Sequence, residues 1–458
     1  MEMKCPGLKE NGKWCTRAHK DRIVHFTDNE LRVLSQTFEE GENWESVTLS
    51  SIHSTSIIGI LSRLSGFSKH VRDYESRITV ALNETTDVDR NIIKRETCIP
   101  NFSESQLIYS GPHIQMANPI AKTPRPTCSL SSDYDVLDLN KISEDYIPLT
   151  NYIPACSLKE FHEYIQGFII NYDHTGSPVY DLWIDYYRIG FREFVGANSE
   201  RTLIGAILPK NCSHIYTIDS VAFRDNRLMT ELAGLGASIV LDFYIKAMGV
   251  SHVSPSRIQK FPLGIEEKYL KELLPRTLSL NCLTIHYKEL WEEIYNESFK
   301  ECQWSQGDKR LKNFNTLTHS WKKKNALTNY YERHLALEEI DVIVAMALGL
   351  SLKDLEMIYR IQFPVLQQNE EGTWYDQTGN IVFTCSRGLI GVGVERTAWE
   401  NIKNQKEGET YVHTIDPAKS ELYGGQQVTY YAPYTKCDRI EDYRRAWAHF
   451  EKIFKEEE

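Results

Sequence analysis

The chain has 458 residues, of which 41% are hydrophobic and 25% charged, a composition typical of globular proteins. This length exceeds one ordinary hydrophobic core and predicts about two to four compact units. The sequence has no run of about 18 apolar residues, and Met1-Glu-Met-Lys-Cys-Pro6 lacks the apolar core of a signal peptide, so we expect a cytoplasmic protein without membrane contact. The net charge of −11 excludes a surface that is basic throughout, but it is compatible with a local cationic groove.

Residues 1–76 are interpreted as a helical connector. Asp28 and Asn29 can cap a helix whose apolar residues recur at spacings of three and four, and residues 54–64 repeat that pattern. The ten cysteines of the chain show no pair at the spacing of a zinc site. Four potential ligands near the start, Cys5, Cys15, His19 and His25, fit no standard finger, so we expect free thiols and no metal.

Residues 77–264 are predicted to form a mixed, curved sheet. Short runs of β-branched and aromatic residues at 78–82, 134–138, 202–208 and 214–218 are separated by turn-forming residues. Two helices, over 180–194 and 230–248, are expected within this domain.

Residues 265–370 are predicted to form a helical spacer that contains a hairpin. A dense apolar stripe runs through residues 329–348, after which Gly349 can end the helix and Ser351 can cap the next one. Residues 371–458 mix turns, strands and a closing helix, and are interpreted as a small α/β unit. The predicted fold class is therefore α+β, with a curved-sheet domain, a helical region and a small C-terminal unit in that order.

Catalytic motifs are incomplete in this sequence. Asn118-Pro-Ile120 lacks the second proline and the aromatic residue of an adenine-binding loop, so it is interpreted as a turn. Gly388-Leu-Ile-Gly391-Val-Gly393 is a glycine cluster without an evident following helix, which favours a tight loop over a cofactor loop. Glu266-Glu267-Lys268, with Asp242 upstream, carries part of a nuclease pattern but stands where carboxylates commonly begin a helix. We expect no catalytic residue in this chain.

Several segments between residues 84 and 263 resemble a known class of DNA-reading domain. They are Glu84-Thr-Thr86, Lys94-Arg-Glu-Thr97, Ser110-Gly-Pro-His113, Ala117-Asn-Pro-Ile120, Lys122-Thr-Pro-Arg125, Met248-Gly-Val-Ser-His252, Arg257-Ile258 and Lys260-Phe-Pro-Leu263. The pattern, which covers most of the chain, resembles the C-terminal target-recognition portion of large adenine-specific DNA methyltransferases. These are the type IIG restriction-modification enzymes and the related DISARM and BREX phage-defence methylases.

The resemblance implies sequence-specific binding of double-stranded DNA. It also implies a partner, a methyltransferase catalytic domain or subunit, that binds S-adenosylmethionine, while this chain holds no cofactor. Other phage-defence proteins are further potential partners.

The candidate DNA-binding residues carry donors and acceptors that suit bases and phosphates. They are His113, Gln115, Lys122, Arg125, Arg188, Arg192, Arg201, Ser251, His252, Arg257, Lys322, Lys323 and Lys324. Alternatives stay open for each group: residues 110–125 could form an ordinary proline-rich connector, Arg201 could pair with Glu193 or Glu200, and the lysines could lie on a solvated helix face. Two other functions also stay open, a divergent methyltransferase or nuclease and an interaction scaffold.

Overall fold

The computed structural model describes residues 9–10, 13–14, 23–39, 43–49, 56–130, 132–196 and 199–456. The fold is α+β, as predicted from the sequence. The helices are Asp28–Phe38 (α1), Ser56–Leu64 (α2), Thr86–Asp89 (α3), Leu158–Tyr164 (α4), Asn226–Ala237 (α5), Ile239–Ala247 (α6), Pro255–Ile258 (α7), Glu267–Asn281 (α8), Lys288–Ile294 (α9), Tyr330–Ala347 (α10), Leu352–Gln362 (α11), Pro364–Glu371 (α12), Arg396–Ile402 (α13) and Arg439–Glu456 (α14).

The strands are mostly short and form one larger sheet and several two-stranded ladders. They are Lys9–Glu10 (β1), Lys13–Trp14 (β2), Ser76–Thr79 (β3), Ile93–Cys98 (β4), Leu107–Tyr109 (β5), Lys122–Pro124 (β6), Tyr134–Val136 (β7), Thr150–Pro154 (β8), Gln166–Tyr172 (β9), Pro178–Leu182 (β10), Arg188–Arg192 (β11), Gly205–Leu208 (β12), Cys212–His214 (β13), Ile218–Phe223 (β14), Trp374–Tyr375 (β15), Ile381–Phe383 (β16), Thr410–Thr414 (β17) and Gln427–Tyr431 (β18).

The larger sheet has four antiparallel strands in the order β12-β11-β14-β3. Helix α5 packs on β11, β12 and β14, and α8 packs on α5. Every residue of β14 is buried, because this strand lies inside the sheet and is covered by other elements. Helices α10, α11 and α14 pack against one another beyond α8.

The main hydrophobic core contains residues from segments that the sequence analysis assigned to different structural units. It contains Leu34 from α1, Phe191 from the sheet, Leu270 from α8 and Phe450 from α14. A second, smaller core lies within the C-terminal segment around Val382, Trp399 and Tyr430. Apolar contacts of this core therefore continue across residues 76/77 and 264/265.

Two helices predicted from the sequence differ from the structure. The helix predicted over 180–194 is wrong: this segment contains β10, a short turn and β11. Four of the five residues of β11 are buried, because both faces of the sheet are covered there. The strand therefore lacks the alternation of apolar and polar residues by which a half-exposed strand is recognised in a sequence. The helix predicted over 230–248 is two helices, α5 and α6, which meet at Ser238 with a bend of 72°.

Of three local predictions at helix ends, two are confirmed and one is wrong. Gly349 has a φ of +73° and follows α10, and the side chain of Ser351 accepts a hydrogen bond from the Asp354 amide at the start of α11. The first helix is capped by Thr27, with Glu30 completing a capping box, and not by Asp28 or Asn29 as predicted.

Among the described residues no single helix has the length and apolar character needed to cross a membrane. Helices α5 and α6 reach that threshold only as a bent pair, and nearly all their residues are buried inside the protein.

Candidate nucleic-acid interface

A cleft of about 950 Å³ lies between the sheet region and the helices that follow it. One wall comes from residues 115–122, the end of β11 and residues 199–204. The other comes from α10, α12 and residues 384–389. The cleft is thus built from parts of the chain that are far apart in sequence.

Cationic side chains predominate in this cleft, although the whole chain carries a net charge of −11. Six lysine and arginine residues line it, against the two glutamates Glu200 and Glu370. The cationic residues are Lys122, Arg192, Arg201, Arg333, Arg387 and Arg439. Arg201 and Arg439 are paired with carboxylates, so the positive charge that favours an anionic ligand comes from the other four residues.

Lys122 and Arg192 form the cationic part of the sheet-side wall. The Nη2 atom of Arg192 donates to Oε1 of Gln115 at 3.1 Å and to the carbonyl of Ile114. The pKa of Lys122 is lowered mainly by burial and to a smaller extent by the positive charge of Arg192. Burial also lowers the pKa of Arg192, to about 10. No carboxylate within the described ranges forms an ion pair with either residue, so both charges are left for a ligand to neutralise.

The turn that contains Arg387 approaches this wall from the opposite side. Gly388 lies so close to Gln115 that an added Cβ atom would stand 3.0 Å from Nε2 of Gln115. Glu200 connects the two walls of the cleft. Its Oε2 atom accepts hydrogen bonds from Ser386 at 2.8 Å and from Asn369 at 2.7 Å, both on the opposite wall. Arg387 itself is exposed and has no ion-pair partner in the part of the chain that the structure describes.

Arg333, by contrast, uses its guanidinium to hold the walls in place. It donates to the carbonyls of Ala117, Leu280 and Leu327, each at 2.9 Å. Burial lowers its pKa to about 10. The charge adds to the cationic character of the cleft, while the hydrogen-bonding groups are already occupied.

Four of the predicted DNA-binding residues serve mainly to support the fold. His113 and Arg188 are fully buried and bonded to main-chain carbonyls, of Leu149 for the histidine and of Trp183, Tyr186 and Cys212 for the arginine. Arg201 pairs with Asp242 at 2.6 Å, not with Glu193 or Glu200. Arg125 pairs with Asp135 at 2.9 Å. These side chains therefore use donors on protein acceptors inside the fold.

Ser251, His252 and Arg257 lie together outside the cleft. His252 is 44% exposed, pairs with Glu193, and its ring lies 4.8 Å from that of Phe194. Arg257 donates to the His252 carbonyl at 3.0 Å. This group forms a separate surface beyond the end of β11.

The three predicted lysines after residue 320 also lie outside the cleft. Lys322 and Lys324 are exposed, whereas Lys323 donates to the carbonyl of Ile142. Of the predicted residues, Gln115, Lys122, Arg192 and Arg201 are the ones that the structure brings together in the cleft.

One end of the cleft contains a cluster of ionisable groups that the sequence analysis missed. His334, Glu338 and Glu370 have potential ligand atoms within 4.8 Å of one another. Arg439 lies beside them, with Nη2 at 2.6 Å from Oε1 of Glu370. A histidine and a glutamate four residues apart on a helix are a usable signal, but their proximity to Glu370 depends on how α12 packs.

The glycine cluster and the turn at residues 118–120 behave as tight connections. Gly391 and Gly393 have φ values of +85° and +77°, and the preceding strand β16 pairs antiparallel with β15. Helix α13 begins at Arg396, so the expectation that no helix follows the glycine cluster is wrong. Asn118 and Gln115 exchange main-chain hydrogen bonds around Ala117. Of the four metal ligands considered near the start of the chain, Cys5, Cys15 and His19 lie outside the described residues.

Comparison with known protein families finds no family that matches this chain, and no curated protein matches it either.

Proposed function

We propose that this chain recognises double-stranded DNA for an adenine-N6 methylation, restriction-modification or phage-defence system. In this proposal another domain or subunit binds S-adenosylmethionine and transfers the methyl group. The cationic cleft is the observation that carries the proposal, because it concentrates positive charge in a chain that is acidic as a whole.

The residues that line the cleft suit two parts of DNA recognition. Lys122, Arg192 and Arg387 provide positive charge for phosphates. Gln115 and Asn118 carry amide groups that can both donate to and accept from base edges. Gln115 and Lys122 come from the segment that resembles a target-recognition domain, so the resemblance and the charge distribution support the same location.

The size of the cleft limits how DNA can lie there. A volume of about 950 Å³ is in the range of pockets for single small molecules. A duplex would therefore lie across the mouth of the cleft, with its backbone beside Arg387, while at most a nucleotide-sized group enters.

Fluorescence anisotropy with labelled duplex DNA at low salt tests this proposal. We expect the variant with Lys122→Ala and Arg387→Ala to bind about tenfold or more weakly than wild type, since two phosphate contacts are lost. Lys452→Ala is the matched control, because Lys452 is an exposed lysine on α14 away from the cleft. Absence of binding to any duplex at low salt, both alone and with the methyltransferase partner, would contradict the proposal.

Calorimetry with S-adenosylmethionine tests the assignment of catalysis to another domain. We expect no saturable heat from this chain alone. Saturable binding of S-adenosylmethionine to this chain, purified without any partner, would instead favour a divergent methyltransferase.

A further inference from the structure

We propose that His334, Glu338 and Glu370 bind one divalent transition-metal ion at the helical end of the cleft. The potential ligand atoms of these three residues all lie within 4.8 Å of one another, and Nε2 of His334 is 3.0 Å from Oε1 of Glu338. This inference does not depend on the DNA-binding proposal, because none of its three ligands is a proposed DNA contact.

Two helices provide the ligands. His334 and Glu338 are four residues apart on α10 and therefore project from the same face of that helix. Glu370 lies in the last turn of α12, which brings a second carboxylate to the same point. One imidazole nitrogen and two carboxylate oxygens form a ligand set that suits Zn²⁺ and related ions, whereas Mg²⁺ and Ca²⁺ prefer oxygen ligands alone.

Glu338 provides a second, independent observation. Its side chain is 1% exposed, and within the described residues neither of its carboxylate oxygens accepts a hydrogen bond of good geometry. Its charged neighbours are His334, 3.0 Å away, and Arg439, 3.7 Å away. Buried carboxylates normally accept hydrogen bonds or coordinate a metal, since an uncompensated charge inside a protein is strongly unfavourable. The Glu338 carboxylate is directed at His334 and so toward the proposed ion.

The nearby guanidinium does not compensate all the acidic groups. Arg439 lies 2.6 Å from both Asp341 and Glu370 but 3.7 Å from Glu338, so one guanidinium serves three carboxylates, of which Asp341 and Glu338 are fully buried. A divalent cation between His334 and the two glutamates would neutralise the remaining negative charge.

The cluster also has the surroundings of a metal site. Arg439 and the Tyr359 hydroxyl, at 2.7 Å, hold the Glu370 carboxylate in a fixed orientation, as groups behind metal ligands commonly do. His334 and Glu370 are 13% and 14% exposed and line the cleft. A fourth coordination position would therefore face the cleft and be open to water or a ligand.

Equilibrium dialysis of the chelator-treated full chain against Zn²⁺ measures the site directly. All variants are made in a background protein that carries Cys5→Ser and Cys15→Ser, so that thiolates near the start of the chain cannot bind the ion. We expect one equivalent of Zn²⁺ per chain, and at least tenfold weaker binding after Glu338→Gln or His334→Ala. Glu371→Gln is the matched control, because Glu371 is the exposed neighbour of Glu370, and it should bind as the background does.

X-ray absorption of the Zn²⁺-loaded background protein identifies the ligands without relying on any variant in the cluster. We expect one imidazole and otherwise oxygen ligands. Absence of Zn²⁺ binding, unchanged binding after Glu338→Gln, sulfur scattering, or two or more imidazoles would each overturn the proposal. Absence of Zn²⁺ binding would mean that a protonated His334 forms an ion pair with Glu338.

Discussion

The Nη1 atom of Arg439 lies 2.6 Å from Oδ2 of Asp341, and this contact joins the last helix of the chain to the centre of the fold. Asp341 lies in α10 and also accepts a hydrogen bond from the main-chain amide of Ile239 at the start of α6. One carboxylate therefore connects α6, α10 and α14. All these groups are buried, so the contact is part of the interior and is not a surface ion pair.

Replacing Arg439 by alanine should destabilise the protein by about 3–5 kcal/mol, because it leaves buried carboxylates without their cation. Denaturant unfolding followed by circular dichroism measures this difference. Arg444→Ala is the matched control on the same helix, since Arg444 is 51% exposed and solvent screens its pair with Glu356, so its loss should change stability far less. Equal losses for the two variants would contradict the role given to Arg439.

Gly236→Ala should destabilise the protein by about 1–3 kcal/mol through overpacking. An added Cβ atom at Gly236 would stand 2.7 Å from Cε1 of Phe191, whose ring also lies against Gly205. Gly59→Ala in α2 is the control: no atom lies within 4 Å of its Cβ position, so better helix propensity should stabilise the protein by up to about 1 kcal/mol. Melting temperatures of the two variants should move in opposite directions.

Asp219→Asn should stabilise the protein at pH 8 by about 1–3 kcal/mol, because it removes the negative charge of a buried carboxylate that has no hydrogen-bond donor among the described residues. The pKa of Asp219 is raised to about 7 in the folded protein, from 3.8 for the free group. Burial is the larger cause, and the negative charge of Glu193 is the smaller one. The folded state therefore binds this proton more tightly, and the contribution of Asp219 to stability is lost as pH rises from about 4 through 7.

The advantage of Asp219→Asn should accordingly be largest above pH 7 and shrink toward pH 4. Chemical unfolding at several pH values measures it. His214 gives the opposite dependence: burial lowers its pKa to about 3, so its contribution is present above pH 6.5 and is lost as pH falls. An Asn variant whose advantage grows on acidification would show that Asp219 is ionised in the folded protein.

If DNA lies at the cleft, Lys122→Ala should reduce the slope of log K against log salt by about 0.9, the value for one lost phosphate contact. Titrations of duplex DNA at four or more salt concentrations give this slope. Lys452→Ala should leave the slope unchanged. A weaker affinity with the same slope would indicate that Lys122 supports the fold of the wall without contacting phosphate.

The sequence by itself determined the fold class, the helix over 330–347 with its glycine end, and the cap at Ser351. These features depend on neighbouring residues, so their signals are local. It also indicated Gln115, Lys122 and Arg192, whose chemistry suits an anion and which do line the cleft.

Only the tertiary structure decided which cations are free to act. Arg201 carries the same guanidinium group as Arg387, yet it pairs with Asp242, which lies 41 residues further along the chain. The cluster of His334, Glu338 and Glu370 likewise depends on the packing of α12 against α11 and its neighbours. Burial and long-range pairing decide the role of a charged side chain, and neither is written in the residues next to it.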